Sequence, residues 1–364
     1  LMTALLDEGA GELDSSAFRA RLEEFGIEFG FSDSGSEVTG GMRTLVSEQE
    51  TAFDMLRLAL TSPRFDEEPI ERIRNAIRLS LERAVTNPSS ISRDRLRERV
   101  FPDHPYSKAP NGTLQTIGDL DRDDLATMHQ RLFAKDNLVI GVVGAIGEAE
   151  LAQALDDVFG DLPNKAQLND IPEVVPVLGV SDEISVATPN ASISLVYKGL
   201  KRDDPDFFAG HLMNHILGGG SFTSRLYEEV REKRGLSYGA SSSMVSRPET
   251  AFLVAGTSTR AENRDEVIEI MRSAVSDIAN GGITQEELEK AKRFTIGSYA
   301  INNLDTSRKI ARVLVALQTE KLGIDYIDRR EQLISNVTLE DVNRVAKRLL
   351  SVEPTMVVVA PATR

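Results

Sequence analysis

The chain repeats itself. Residues 1–34, LMTALLDEGAGELDSSAFRARLEEFGIEFGFSDS, align with LMNHILGGGSFTSRLYEEVREKRGLSYGASSS, which begins at Leu212. In this register Gly26 meets Gly235, Phe29 meets Tyr238 and Gly30 meets Gly239. Further on, RFDEEPIERIRNAIRLS matches GITQEELEKAKRFTIGS, and DLATMHQRLFAKDNLVIGVVG matches DVNRVAKRLLSVEPTMVVVAP. Equivalent helices and strands in equivalent order imply two copies of one domain. With 364 residues, each copy is long enough to bury its own core. The join is expected at PNKAQLNDIPEVVP, residues 163–176, where three prolines interrupt any periodicity. The expected domains are therefore 1–162 and 177–364.

Local signals point to an α+β layer architecture. Ser47 and Glu50 have capping-box spacing ahead of a helix carrying Phe53, Leu56 and Leu60. Asp66 precedes a helix with Ile70, Ile73, Ile77 and Leu81 on one stripe. Thr284 and Glu287 form a second box, and Gly281 and Gly282 close the helix bearing Val267, Ile270, Met271, Ala274 and Ile278. Strands are predicted at 138–144, 192–198, 236–245, 251–258 and 355–360. Paired strands with helices over one face give an α+β domain rather than a doubly wound nucleotide fold.

A net charge of −15 argues against nucleic acid, whose phosphates require a basic face. There is no cysteine, so disulfides and thiolate metal sites are excluded. No apolar run approaches the roughly 20 residues of a membrane span. The chain opens at Leu1 without an initiator Met, as though already inside a helix, and is expected to lack its true N-terminus. That expectation, with the absence of cysteine, favours a periplasmic over a cytoplasmic location.

Residues 217–243 combine a glycine run (Gly218, Gly219, Gly220), Ser224-Arg225-Leu226, Arg231-Glu232-Lys233, Gly235-Leu236 and Tyr238. The glycine run lacks the Lys-Ser/Thr of a phosphate loop and follows a helix rather than a strand. On its own it reads as a helix stop with a tight turn. Arg231 sits at a charged helix end, where most arginines are solvated. Tyr238 alternates with Leu236 and Ala240, a pattern that would let it pack into a sheet. Taken together and in this spacing, however, the stretch resembles the second-domain signature of the insulinase-type (M16) zinc metallopeptidases.

The resemblance covers nearly the whole chain, and it implies two tandem copies of the LuxS/MPP-like metallohydrolase α+β domain. It places Arg231 and Tyr238 on the family's substrate-binding Arg/Tyr pair and Gly218–Gly220 on its glycine-rich strap. The family's active domain carries His-x-x-Glu-His on a helix, with a third ligand, Glu, on a later one. With LLDEGA as anchor, the motif's Glu falls on Thr3 and its second His on Ala4, while the third ligand falls on Ser80. Thr, Ala and Ser cannot hold Zn²⁺ as imidazole and carboxylate do. No metal is expected in this chain.

The resemblance thus implies a non-catalytic subunit of a heterodimeric zinc peptidase, supplying Arg231 and Tyr238 to a peptide held at a partner's zinc. The expected partner is an M16 homologue bearing the His-x-x-Glu-His motif; the expected ligand is a peptide. One alternative is a structural family member kept as scaffold. The other is a zinc hydrolase built on His211 and His215, which stand at i, i+4 in HLMNH. That pair shares its stripe with Phe208, Leu212 and Ile216 and has no Glu between its members, so two packed imidazoles are the simpler reading. His104 is expected in a loop and His129 on a helix flank.

Overall fold

The computed structural model describes residues 1–362. They form two compact units that interleave along the chain. One comprises residues 1–83, 110–170 and 303–319; the other comprises 84–109, 171–302 and 320–364.

The first unit is mostly helical around a hairpin of β1 (Glu28–Asp33) and β2 (Val38–Arg43), which pair antiparallel from Glu28↔Arg43 to Asp33↔Val38. Phe29 and Phe31 meet edge to face at 5.1 Å and pack on a cluster containing Phe18, Leu22, Met55 and Ala59. Beneath it, the carboxylate of Glu8 is almost fully buried, and it accepts from Ser15 Oγ (2.5 Å), Arg72 Nη2 (2.6 Å) and Arg19. A carboxylate buried this deeply persists only because its lone pairs are so fully matched.

Two local expectations fail in this unit. The stretch 138–144 forms no strand and joins no ladder. Its Ile140 carbonyl instead accepts from Gln318 Nε2 at 3.0 Å, and Gly141 lies against Ala311 of the helix Ser307–Thr319. A Val/Ile-rich run becomes a strand only where a neighbour offers a ladder, and here its neighbour is a helix. The Ser47–Glu50 capping box does not form either. A 3-10 turn, Val46–Glu48, feeds directly into the helix Gln49–Thr61, so Ser47 is already helical and is not an extended cap residue.

The second unit is built on a five-stranded sheet of β3 (Ser181–Ser185), β4 (Asn190–Lys198), β5 (Ser237–Arg247), β6 (Thr250–Arg260) and β7 (Thr355–Ala360). Their order is β3-β7-β4-β6-β5; β3 and β7 are parallel and the other pairs antiparallel. On β4, Ile193, Leu195 and Tyr197 share a core with Leu212, Met213, Val267, Met271, Val342 and Leu349 from the helices Phe207–Asn214, Arg264–Ala279 and Leu339–Leu350.

Helices cover both faces of this sheet, not one. Val196, Val357 and Val359 point the other way and are met by Leu96 and Val100 of the helix Pro88–Val100, with Phe101 just beyond it. That helix is mostly polar, with Ser92 Oγ 3.0 Å from Ser194 Oγ, and its thin apolar stripe is the reason it does not read as a sheet-covering element.

Two sequence signals are realised closely. Thr284 and Glu287 exchange cap hydrogen bonds, Glu287 N to Thr284 Oγ1 at 3.2 Å and Thr284 N to Glu287 Oε2 at 2.8 Å. Gly26 and Gly235, paired by the repeat, both take left-handed backbone (φ +58 and +64) just ahead of β1 and β5.

Candidate functional site

Residues 207–247 form one continuous device. The helix Phe207–Asn214 widens into a π turn, His215–Gly219, and ends at Gly220, whose N–H donates to His215 O at 2.8 Å. Gly218 lies so close to β5 that a Cβ there would strike the backbone nitrogen of Ser242. The buried Ser242 hydroxyl donates to Asn214 Oδ1 at 2.7 Å, fixing the turn to the strand. The glycines therefore do more than stop a helix: they let the strap lie against the strand that carries Tyr238.

Beyond the strap, Arg225 anchors the chain. Its Nε and Nη2 reach the two carboxylate oxygens of Glu287 at 2.7 and 2.8 Å, and it also donates to Gly282 O. This bidentate pair is planar and directional, unlike a point-charge contact. A second π-type turn, Glu228–Glu232, places Arg231. Within the run REKR, Lys233 and Arg234 are neutralised by Glu229, each at 2.6 Å. Arg231 has only Glu232, at 3.9 Å, and instead donates from Nη1 to the carbonyl of Tyr238 at 2.8 Å while lying 5.2 Å from the ring centre of Tyr227. Tyr227 in turn meets Phe222, an exposed residue of the strap, edge to face at 5.3 Å.

Tyr238 does not pack into the sheet. The β5–β6 register jumps between Ser237↔Thr259 and Ala240↔Thr257, so β5 carries one extra residue in a β-bulge. Such a bulge re-aims a side chain, and Tyr238 is 93% exposed while Ala240 stays buried. The bulge is stapled by hydroxyls: Ser237 Oγ lies 2.7 Å from Ser258 O and 2.8 Å from Thr257 Oγ1, and Thr257 Oγ1 donates to Gly239 O at 2.7 Å. The staple was not anticipated; the only hint in the sequence is the density of small hydroxyl residues in SYGASSS and TSTR.

The positions aligned with zinc ligands hold no ligand chemistry. Thr3 is buried in the 3-10 turn Thr3–Leu5, Ala4 is exposed beside it, and Ser80 is exposed on the helix Glu67–Thr86. A hydroxyl, a methyl and a second hydroxyl do not fit Zn²⁺. No group of three or more His, Asp or Glu suited to a metal occurs among the described residues.

His211 and His215 pack as aromatic rings. His211 stacks on Phe207 (6.2 Å, 14°) and His215 on Phe294 (4.9 Å, 29°). Burial, then the nearby Arg330, His215 and Arg202, push His211 down to about 4; burial also lowers His215. The charged groups acting on His211 are cationic, a setting that disfavours a divalent metal. His104 is buried, its Nδ1 accepting from Tyr106 N at 3.2 Å and its Nε2 3.0 Å from Pro172 O. His129 is buried beside Phe133.

A five-stranded sheet clad in helices, with a glycine strap laid against one of its strands, has the architecture of a metallohydrolase-like α+β domain. The family described as "Peptidase M16 inactive domain" matches residues 119–294 of this chain. The chain is 25% identical over 320 residues to the "Non-peptidase homolog YmxG" of Helicobacter pylori, covering 85% of this chain and 72% of that one. It is 26% identical over 328 residues to an uncharacterized zinc protease of Streptomyces coelicolor, covering 88% and 71%. The crystal structure of a peptidase M16 inactive domain from Pseudomonas fluorescens superposes with a TM-score of 0.93 at 28% identity, over 100% of this chain and 88% of that one. A protease from Helicobacter pylori shares the fold, with a TM-score of 0.84 at 18% identity over 99% and 88%. No helix among the described residues is long and apolar enough to cross a membrane.

Proposed function

We propose that this chain is the non-catalytic subunit of a heterodimeric zinc peptidase, lending Arg231 and Tyr238 to a peptide bound at the zinc of an M16 partner that carries His-x-x-Glu-His. In this reading residues 1–162 and 177–364 descend from one repeated domain, and 163–176 join them. The observation that carries the proposal is the bulge at Tyr238. It costs the sheet a regular ladder step yet presents a phenol to solvent, with a guanidinium lacking a close carboxylate fastened to the same residue's carbonyl.

Hydrolysis by metal-bound water builds negative charge on the scissile carbonyl oxygen. A phenolic O–H and a guanidinium aimed there stabilise that charge, by about 3–4 kcal/mol per well-placed donor. Arginine also holds a peptide carbonyl with a fork that lysine lacks. The zinc then belongs to the partner and this chain needs no cofactor. A periplasmic setting, where peptides are processed outside the cytoplasm, is part of this reading.

The decisive experiment mixes this chain with an M16 homologue bearing His-x-x-Glu-His and measures assembly by size exclusion and cleavage of a peptide library. Co-elution, with hydrolysis only in the mixture, is the expected result. Full activity of the zinc-bearing homologue by itself, unchanged by this chain, would leave the scaffold reading in its place.

A further inference from the structure

A second cationic cluster adjoins the helical start of the 207–247 device, in the unit comprising 84–109, 171–302 and 320–364. It gathers residues of the helices Phe207–Asn214, Gln285–Asn303 and Tyr326–Ser335 around the turn that carries Arg202. Arg202 lies over Phe207 at 4.1 Å, donates from Nη2 to Tyr326 Oη at 2.8 Å, and pairs through Nε with Glu320 at 2.9 Å. Arg330 lies over Tyr299 at 4.0 Å, donates from Nη1 to Thr295 O at 3.1 Å, and also hydrogen-bonds Tyr326. Two guanidiniums thus converge on one phenol.

The cluster is incomplete as it stands. Arg330 is half-buried, yet its partners are a backbone carbonyl and two phenol rings, with no carboxylate among them. A half-buried cation without a counter-ion is disfavoured, and desolvation accordingly lowers its affinity for its proton. Thr295, whose carbonyl Arg330 grips, is 5% exposed, and its Oγ1 has no hydrogen-bond partner. Two independent observations, an uncompensated guanidinium and an orphaned buried hydroxyl, coincide at one residue contact. The imidazole of His211, kept neutral by burial, lies near Arg330 and has one N–H to donate.

We propose that this cluster is a binding site for a carboxylate, held by Arg330, with Thr295 Oγ1 and the His211 imidazole as further donors. Charge selects the ligand: two guanidiniums less Glu320 leave one positive charge, which a monovalent anion matches and a phosphate dianion overshoots. Shape agrees, since a planar carboxylate fits the fork of a guanidinium. The carboxylate can come from a small organic acid or from the C-terminus of a peptide. The proposal does not rest on the function proposed for Arg231 and Tyr238.

The chain has four histidines, so imidazole C2–H resonances of the full-length protein resolve singly, and His211→Gln assigns the one required. His211 faces Arg202 from the turn, His215 from its own helix and Arg330 from the helix Tyr326–Ser335. An anion bound among them favours imidazolium, so saturating acetate should raise the His211 midpoint by about one unit or more. Arg330→Gln should abolish the shift, and Arg330→Lys should keep part of it. A tripeptide with a free C-terminus that binds more tightly than acetate identifies a peptide end as the ligand; equal binding identifies a small acid. Should the tripeptide amide bind as well as the free acid, or phosphate bind more tightly than acetate, the carboxylate assignment falls. A His211 resonance that ignores both acetate and the free peptide, or responds equally in Arg330→Gln, overturns the site. If Arg330→Gln does not fold, the wild-type titration and Arg330→Lys still decide.

Discussion

The Arg231 guanidinium is bonded, at 2.8 Å, to the carbonyl of the very residue whose side chain the β5 bulge expels. The contact ties the guanidinium to the backbone of the residue that carries the phenol. Arg231 keeps further N–H groups to offer, since its nearest carboxylate, Glu232, is 3.9 Å away.

Tyr238→Phe removes one hydroxyl from an exposed ring. In a reconstituted pair with a zinc-bearing homologue it should lower kcat roughly 100-fold or more, the loss of one charge-stabilising donor. Arg231→Ala should raise KM and lower kcat together, because positioning and charge stabilisation both suffer. Neither should move Tm appreciably. Undiminished turnover with both replaced would mark the pair as a relic.

Arg225→Ala acts on stability instead. It strips the bidentate partner from Glu287, which also caps the helix Gln285–Asn303. A loss of about 1–3 kcal/mol is expected in urea unfolding, whereas the exposed Arg234→Ala should stay within about 0.5 kcal/mol.

Gly218→Ala tests the strap. Its Cβ would meet the backbone of Ser242, which is held in the β5–β6 ladder opposite Ala255 and cannot retreat as a side-chain tip would. Overpacking of this kind typically costs about 1–3 kcal/mol, and thermal unfolding should show it. A wild-type Tm for the variant would mean that the strap lifts freely from the strand.

His211 titrates near 4 rather than at its ordinary 6.5, chiefly because it is buried. The unfolded chain therefore binds the proton more readily, and stability rises with pH between about 4 and 6.5. The contribution is complete above the upper value and is lost as pH falls toward the lower one. It is on the order of 2–3 kcal/mol. His211→Phe should flatten the stability profile in that window, as followed by denaturant midpoints at a series of pH values.

Dialysed protein should hold well under one zinc per molecule by elemental analysis, because Thr3, Ala4 and Ser80 offer no imidazole or carboxylate. Stoichiometric zinc that disappears on His215→Ala would instead place a metal at the imidazole pair.

Much of this arrangement is legible in the residues. The Thr284–Glu287 box and the left-handed Gly26 and Gly235 follow from short-range stereochemistry, which a sequence states directly. The bulge at 237–240 is not legible. Leu236, Tyr238 and Ala240 keep strand alternation on paper, and only the pairing with β6 reveals the extra residue. The same holds for 138–144, whose β-rich composition is overruled by a helical neighbour. It holds too for β1 and β2, where glycines and polar residues hide a hairpin that Phe29, Phe31 and Met42 tie to its core.

The helix Pro88–Val100 has a practical corollary for dissecting the molecule. A polypeptide cut at the proline-rich join, beginning at Val177, would retain all five strands of the larger sheet but lose the cover over Val196, Val357 and Val359. That exposed valine face would be sticky, and such a fragment should precipitate or self-associate. Adding back a peptide spanning residues 84–109 should restore its solubility, so the proline-rich stretch 163–176 is not the seam at which this chain comes apart.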